Sequence, residues 1–208
     1  FHFPKFIKNM PEYNSGKLGG NGPTAKHCPG FIDLYKHAYV LPMWCDANLT
    51  LRDGKFSFET PFMHEKMWDM DYHGNNQFLD FLPKTKEDWK FVWKPRCPWL
   101  LRTPKGYSVL QLPMTYDFNN DFEVLSGVID TDKHHEINQQ IVQKKDGTIN
   151  IKRGTPLCMY LPFKRESFNF EVVLETQELW SVRIKDFWNL WTKHTGAYKE
   201  RQKEDLKE

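Results

Sequence analysis

"LRTPKGYSVLQLPM", Leu101 to Met114, sets a Thr-Pro-Lys-Gly turn against a short run rich in Tyr, Val and Leu that stops at Pro113. Runs of this kind, rich in β-branched and aromatic residues and fenced by Pro, Gly, Asn or Asp, read as strands. Outward from it the pattern repeats. "FEVLSGVIDTD" follows at Phe122 to Asp132, "EINQQIVQ" at Glu136 to Gln143, "TINIK" at Thr148 to Lys152 and "PLCMYLPF" at Pro156 to Phe163. "WKFVWK" and "WLLRT" precede it from Trp89 onward, and "FNFEVVLE" at Phe168 to Glu175 closes the series. Turn signals at intervals of roughly 8–12 residues are those of a sandwich or barrel. No strand alternates with a long helical segment, which argues against βαβ folds.

Upstream, "AYVLPMWCDANLTLRDGKFSFETP" joins two apolar stretches through Asp53-Gly54, a dipeptide suited to the positive φ values of a type I′ hairpin turn. Asp146-Gly147 gives a second hairpin signal. Before residue 31, Pro4, Pro11, Gly16, Gly19, Gly20, Gly22, Pro23, Pro29 and Gly30 interrupt any regular element, so residues 1–30 read as an extended arm. After Glu175 the period lengthens to that of a helix. Trp180, Ile184, Phe187, Trp188 and Trp191 share one face, Thr176 is placed to cap it, and Glu178 lies in the first turn. The reading is a mainly β domain, a compact β-barrel or β-clip of short strands over residues 31–175. An N-terminal arm precedes it, and an amphipathic helix over 176–208 packs on it. A Trp-rich face also suits a protein partner, a homo-oligomer contact or a membrane interface.

Composition limits the chemistry. The 208 residues are enough to bury a core without staples, and 29 Lys and Arg balance 27 Asp and Glu, so no broad positive field points to nucleic acid. Cys28, Cys45, Cys97 and Cys158 are widely separated and form no C-x-x-C pair; buried free thiols are the expectation, with a reducing compartment. No apolar run is long enough to span a membrane. No signal-peptide pattern opens the sequence, and the expected location is the cytoplasm of a host cell or a virion, without secretion; the sequon at Asn48 then carries no weight.

Titratable side chains concentrate in "GVIDTDKHHEI". With a strand ending at Ile129, Asp130 and Asp132 are two apart on an extended segment, where both can face a metal or an attacking water. His134 and His135 point opposite ways, so one of them at most joins that side, and His134 is the candidate ligand-binding imidazole. Arg102, Arg153 and the pair Lys164-Arg165 stand at turns or strand ends; Arg102 and Arg153 are the candidates for gripping an anion bidentately. A solvated charged loop accounts for the same residues without any chemistry. No metal site and no cofactor is assigned. "HEKMWDMDYH" contains no His-x-Asp and no EF-hand loop, "GKLGGNG" fits neither Gly-rich phosphate motif, and a serine nucleophile elbow is absent.

"CPWLLRTPKGYSVLQLPM", "SGVIDTD" and "IKRGTPLCMYLPFKRE", with "YKHAYVLPMWCDANLTLRDG" before them, resemble an uncharacterised family found in phages, especially marine cyanophages, and in bacteria. The resemblance covers about residues 28 to 168 and implies no particular activity. The order "PKGYSVL…SGVIDTD…EINQQI…IKRGTPLCMYLPF" is also distantly similar to the dUTPase and dCTP deaminase fold. That likeness implies a β-clip and places Asp130 where the family's Asp meets the sugar and the catalytic water. The phosphate-binding "R-S-G" segment is missing, Lys133 stands in place of the sugar-stacking Tyr, and no Gly-rich C-terminal arm follows. The function expected is a phage-type binding or structural module. The alternatives are an enzyme or binder for a nucleotide or other small anion, and a virion or oligomer assembly protein.

Overall fold

A computed structural model describes residues 5–13, 24–61, 70–83, 88–172, 174 and 176–192, with the backbone alone at 5, 6, 29 and 186–192. "GKLGGNG", most of "HEKMWDMDYH", the side chains of Phe187, Trp188 and Trp191, and the polar tail lie outside the described residues. The chain divides into two compact units, one of residues 1–8 and 34–165, the other of residues 9–33 and 166–208.

The first unit is mainly β. Its strands are β1 (Tyr39–Pro42), β2 (Ala47–Arg52), β3 (Lys55–Glu59), β4 (Met70–His73), β5 (Phe91–Leu100), β6 (Tyr107–Pro113), β7 (Phe122–Val124), β8 (Gly127–Ile129), β9 (Glu136–Asn138), β10 (Ile141–Gln143), β11 (Gly147–Ile151) and β12 (Pro156–Lys164). They form three antiparallel sheets, ordered β1-β12-β6-β8, β4-β5-β10-β7 with β9 also on β5, and β11-β2-β3. The mainly β expectation holds, but the sheets are open, and no closed barrel forms among the described residues.

Alternation explains the core. Along β2, Ala47, Leu49 and Leu51 point inward, and opposite them Ile149 and Ile151 of β11 are buried. With Trp93, Ile141, Leu157 and Cys158 they belong to one apolar cluster. Each such aliphatic side chain contributes roughly 1.5–3 kcal/mol on burial. Cys45, Cys97 and Cys158 are buried free thiols as expected, while Cys28 is exposed.

Several local readings change. β2 and β3 are joined by the expected hairpin, with Asp53 and Gly54 at φ 50° and 70°. Asp146-Gly147 is not a hairpin turn. It carries the chain from β10 in one sheet to β11 in another, and the buried Gln143 holds it by donating to Lys145 O at 2.8 Å and Gly147 O at 2.9 Å. "EINQQIVQ" breaks at Gln139-Gln140 into β9 and β10. The two runs after Trp89 fuse into one ten-residue strand, β5, despite Pro95 and Pro98. Its pairing with β9 shifts register between Arg96 and Leu100, next to Pro98, which has no N–H to give a ladder.

The extended arm expected over residues 1–30 is helical in part of its described length, since a proline at the first position of a helix loses no backbone bond. Thr24 Oγ1 donates to Pro11 O at 2.6 Å and caps a helical turn at Ala25–His27, and helix α2 starts at Pro29 and runs to His37. Ahead of it, a single helical stretch, α1 (Lys5–Asn9), fits between Pro4 and Pro11. The described residues of "FNFEVVLE" are not in a strand. Phe168, Phe170, Val172 and Leu174 are all exposed, and no strand among the described residues supplies hydrogen bonds to their period-two pattern. The expected helix forms as α3 (Gln177–Thr192), with Leu179 N donating to the Thr176 hydroxyl. Leu179, Trp180 and Val182 stay exposed, and Ile184 is half-buried.

Gln143 makes the fold's polar interior testable. Its Oε1 also accepts from Trp93 Nε1 at 2.9 Å, so all three hydrogen bonds are made inside the protein. Gln143→Leu leaves an indole N–H and two carbonyls without partners and is expected to cost about 3 kcal/mol in urea unfolding. A cost below about 0.5 kcal/mol contradicts this role for the side chain.

Candidate functional site

The turn after β8 begins where the strand stops. Thr131 N donates to Ile129 O, and Lys133 N and His134 N both donate to Asp130 O, so Asp130 to Lys133 form a tight turn. It brings both carboxylates to one side, against the start of β6 and the residue following β12. Three elements meet there because β6 is the central partner: Val109 pairs with Ile129 of β8 on one flank, and Lys164 of β12 pairs with Tyr107 on the other.

Arg165 is the hub. Its Nη1 donates to Asp132 Oδ1 at 2.9 Å, and its Nη2 donates to Asp132 Oδ2, which makes a bidentate pair. Nη1 also faces Ser108 Oγ at 2.7 Å, Asp130 Oδ1 at 3.0 Å and Tyr107 O at 3.3 Å. Ser108, fully buried, donates its hydroxyl to Asp130 Oδ1 at 2.6 Å. Gly106 N donates to Asp132 Oδ2 at 2.8 Å, and Gly106 O accepts from Arg165 N at 2.8 Å. Gly106 sits at φ +86°, the left-handed conformation that turns its N–H toward the carboxylate. Beneath, buried Thr131 shares a 2.6 Å hydroxyl contact with Thr103, whose Oγ1 donates to Tyr107 O.

The electrostatics follow from these bonds. Asp132, with only 4% of its side chain exposed, is held at about 2, first by the Arg165 hydrogen bonds and then by the Gly106 N–H. Asp130 is also lowered, chiefly by the Ser108 hydroxyl and then by the positive charges of Arg165 and Lys133. A general base at neutral pH needs a proton affinity near 7, and both carboxyls are pushed the other way. Asp130 Oδ2 faces Lys133 Nζ at 3.8 Å on the more exposed side of the cluster. No group of three or more His, Cys, Asp or Glu among the described residues is arranged to hold a metal ion. The buried thiol of Cys158 is pushed up to about 12 by desolvation, so it offers no thiolate nucleophile either.

Asp130 and Asp132 are brought together as their spacing implies. The other candidates are not. His134 is exposed and tied to the turn by its backbone, while His135 Nδ1 lies 2.9 Å from Thr131 O. Arg102 is exposed and makes none of the bonds of the cluster. Arg153 belongs to the turn between β11 and β12, where its N–H donates to Asp46 Oδ1 at 2.8 Å and Lys152 pairs with Oδ2 at 3.2 Å. The guanidinium that does grip an anion is Arg165. Its position one residue beyond a strand was visible in the sequence; its partner follows only from the β12-β6-β8 strand order. No protein-family model, curated protein or solved structure matches this chain.

A folded-state carboxyl lowered to about 2 stabilises the native protein fully above its ordinary value near 4, and that contribution is lost as the pH falls through the folded value. The melting-point difference between wild type and Asp132→Asn is therefore expected to be constant from about pH 8 to 5 and to shrink between about pH 4 and 2. A difference that stays constant down to pH 2 contradicts the arrangement.

Proposed function

We propose that the chain is a binding or structural module of phage type and that its densest group of titratable residues holds strands together instead of performing catalysis. One observation supports this reading. A single guanidinium, with the Ser108 hydroxyl and the Gly106 N–H, occupies three of the four carboxylate oxygens of Asp130 and Asp132, and the fourth, Asp130 Oδ2, faces Lys133 Nζ. The bidentate grip is made by Arg165 and not by Arg102 or Arg153, and the anion it holds is Asp132 of the same chain. An enzyme working through "GVIDTD" would have to open this pair first, and both carboxyls favour the charged, paired state.

Thermal-shift measurements on the whole chain with nucleotides, sugar phosphates and divalent cations test this. A ligand at about 100 times its Kd stabilises the native state by roughly 2.7 kcal/mol. No such shift is expected through the Asp cluster. A nucleotide or metal ion that raises the wild-type midpoint but leaves that of Asp130→Asn unmoved contradicts the reading and restores the enzyme alternative.

A further inference from the structure

Phe168, Phe170, Val172 and Leu174 repeat at the period of a strand but lie outside helix and strand, and they are 69%, 94%, 92% and 92% exposed. Apolar side chains two apart form the single face that a strand lays against a core. Here no residue of the chain covers most of that face. The charge around it is of one sign: from Glu166 to Val182 the sequence holds Glu166, Glu171, Glu175 and Glu178 and no Lys or Arg.

A complementary surface lies on the sheet. β1 ends the order β1-β12-β6-β8, so one of its backbone edges has no strand beside it among the described residues. Its sequence Tyr-Val-Leu-Pro carries none of the charges that commonly guard an edge, and only Pro42, at its end, lacks an N–H. Beside β1 runs a groove of about 830 Å³, whose lining includes Val40, Pro156, Leu161 and Pro162 and, from the last turn of α2, Lys36 and His37. Tyr39 also lines it and is 70% exposed. Among the described residues that line the groove, none is acidic.

We infer that this edge takes the Phe168–Leu174 segment of a second copy of the chain as an added strand, and that two copies exchange these segments reciprocally in a closed dimer. Lengths agree. At roughly 3.3 Å per residue an extended Phe168–Leu174 spans about 20 Å, and the groove's lining along β12 runs over the same number of residues, from Pro156 to Pro162. Charges agree as well, since an acidic segment meets a groove whose ionisable lining is basic. At roughly 150–250 Å² per phenylalanine, the exchanged phenylalanines of both copies bury on the order of 600–1,000 Å², and with the edges they cover the contact reaches the roughly 1,200–2,000 Å² of stable interfaces. Backbone bonds to Tyr39–Leu41 supply affinity, and alternate side chains fill the groove. The pairing uses none of the residues of the Asp130–Asp132–Arg165 cluster, so its failure leaves the reading of that cluster as it is.

Sedimentation equilibrium and amide-shift NMR on the isotopically labelled whole chain test this. At about 0.1 mM, a hundred times a micromolar Kd, twice the mass of one chain is expected. Phe170→Asp changes a side chain that one chain by itself leaves almost wholly exposed, so its circular dichroism should match wild type while dimerisation weakens at least about tenfold. A synthetic peptide of residues 166–176 added to that variant should shift the amides of Tyr39–Leu41 saturably, and the same peptide carrying Phe170→Asp should not. A wild-type chain that stays monomeric overturns the inference, including one whose β1 amides move on Phe170→Asp because the segment docks within its own chain. So does a dimer that Phe170→Asp leaves intact, as one formed through Leu179 and Trp180 of α3 would be, or a peptide that shifts no amide along β1.

Discussion

The guanidinium of Arg165 serves three strands at once. It follows β12 directly, bonds Ser108 and Tyr107 O at the start of β6, and holds both carboxylates of the turn after β8. β8 has only three residues and pairs with β6 along its length, so few backbone bonds hold that edge of the sheet. Short edge strands limit unwanted pairing but are weakly held by themselves. The side-chain clamp supplies what the short ladder lacks, and it does so at a place where the Gly106 turn and the Thr103–Thr131 contact already fix the approach.

A second polar device lies deeper. Gln111, Gln139 and Tyr160 form a closed set in the core: Gln139 Nε2 donates to Gln111 Oε1 and to the Tyr160 hydroxyl, which donates in turn to Gln111 Oε1 at 3.0 Å. Gln111 Nε2 reaches Leu125 O at 2.7 Å, and the Cys158 thiol donates to Gln139 Oε1. Buried amides are costly unless satisfied, and satisfied ones specify a single arrangement. Gln139 sits at the break between β9 and β10, so the same side chain that interrupts the strand also anchors the break to β6 and β12. The clamp at the sheet edge and this network in the core both replace regular ladder bonds with fixed side-chain bonds.

Much of this was legible in the sequence. Period-two alternation placed β2, where Ala47, Leu49 and Leu51 are buried in turn, and Asp53-Gly54 fixed the hairpin to β3 because local backbone geometry alone decides it. The failures share a cause. Asp146-Gly147, the Gln139 break and the exposed stretch from Phe168 to Val172 depend on which strands become neighbours, and pattern along one chain does not contain that information. The site was half legible for the same reason. Asp130 and Asp132 stand two apart in one turn, so their convergence is local, but Arg165 reaches them only across the β12-β6-β8 order, while Arg102 and Arg153 look equally suitable in sequence. The positive φ of Tyr116 (62°) and Phe118 (52°) gave no sequence signal beyond turn-forming Asn and Asp, since such a backbone at an aromatic residue is imposed by its surroundings.

The central claim is that Arg165 and Asp132 act as one structural unit. A double-mutant cycle of Arg165→Met and Asp132→Asn, read by urea unfolding at pH 7, measures that directly. The account predicts strong non-additivity, with the double variant about as stable as the less stable single variant or more so, because each single change strands the other partner. Costs that simply add would contradict it and would return the two aspartates to the pool of groups free for chemistry.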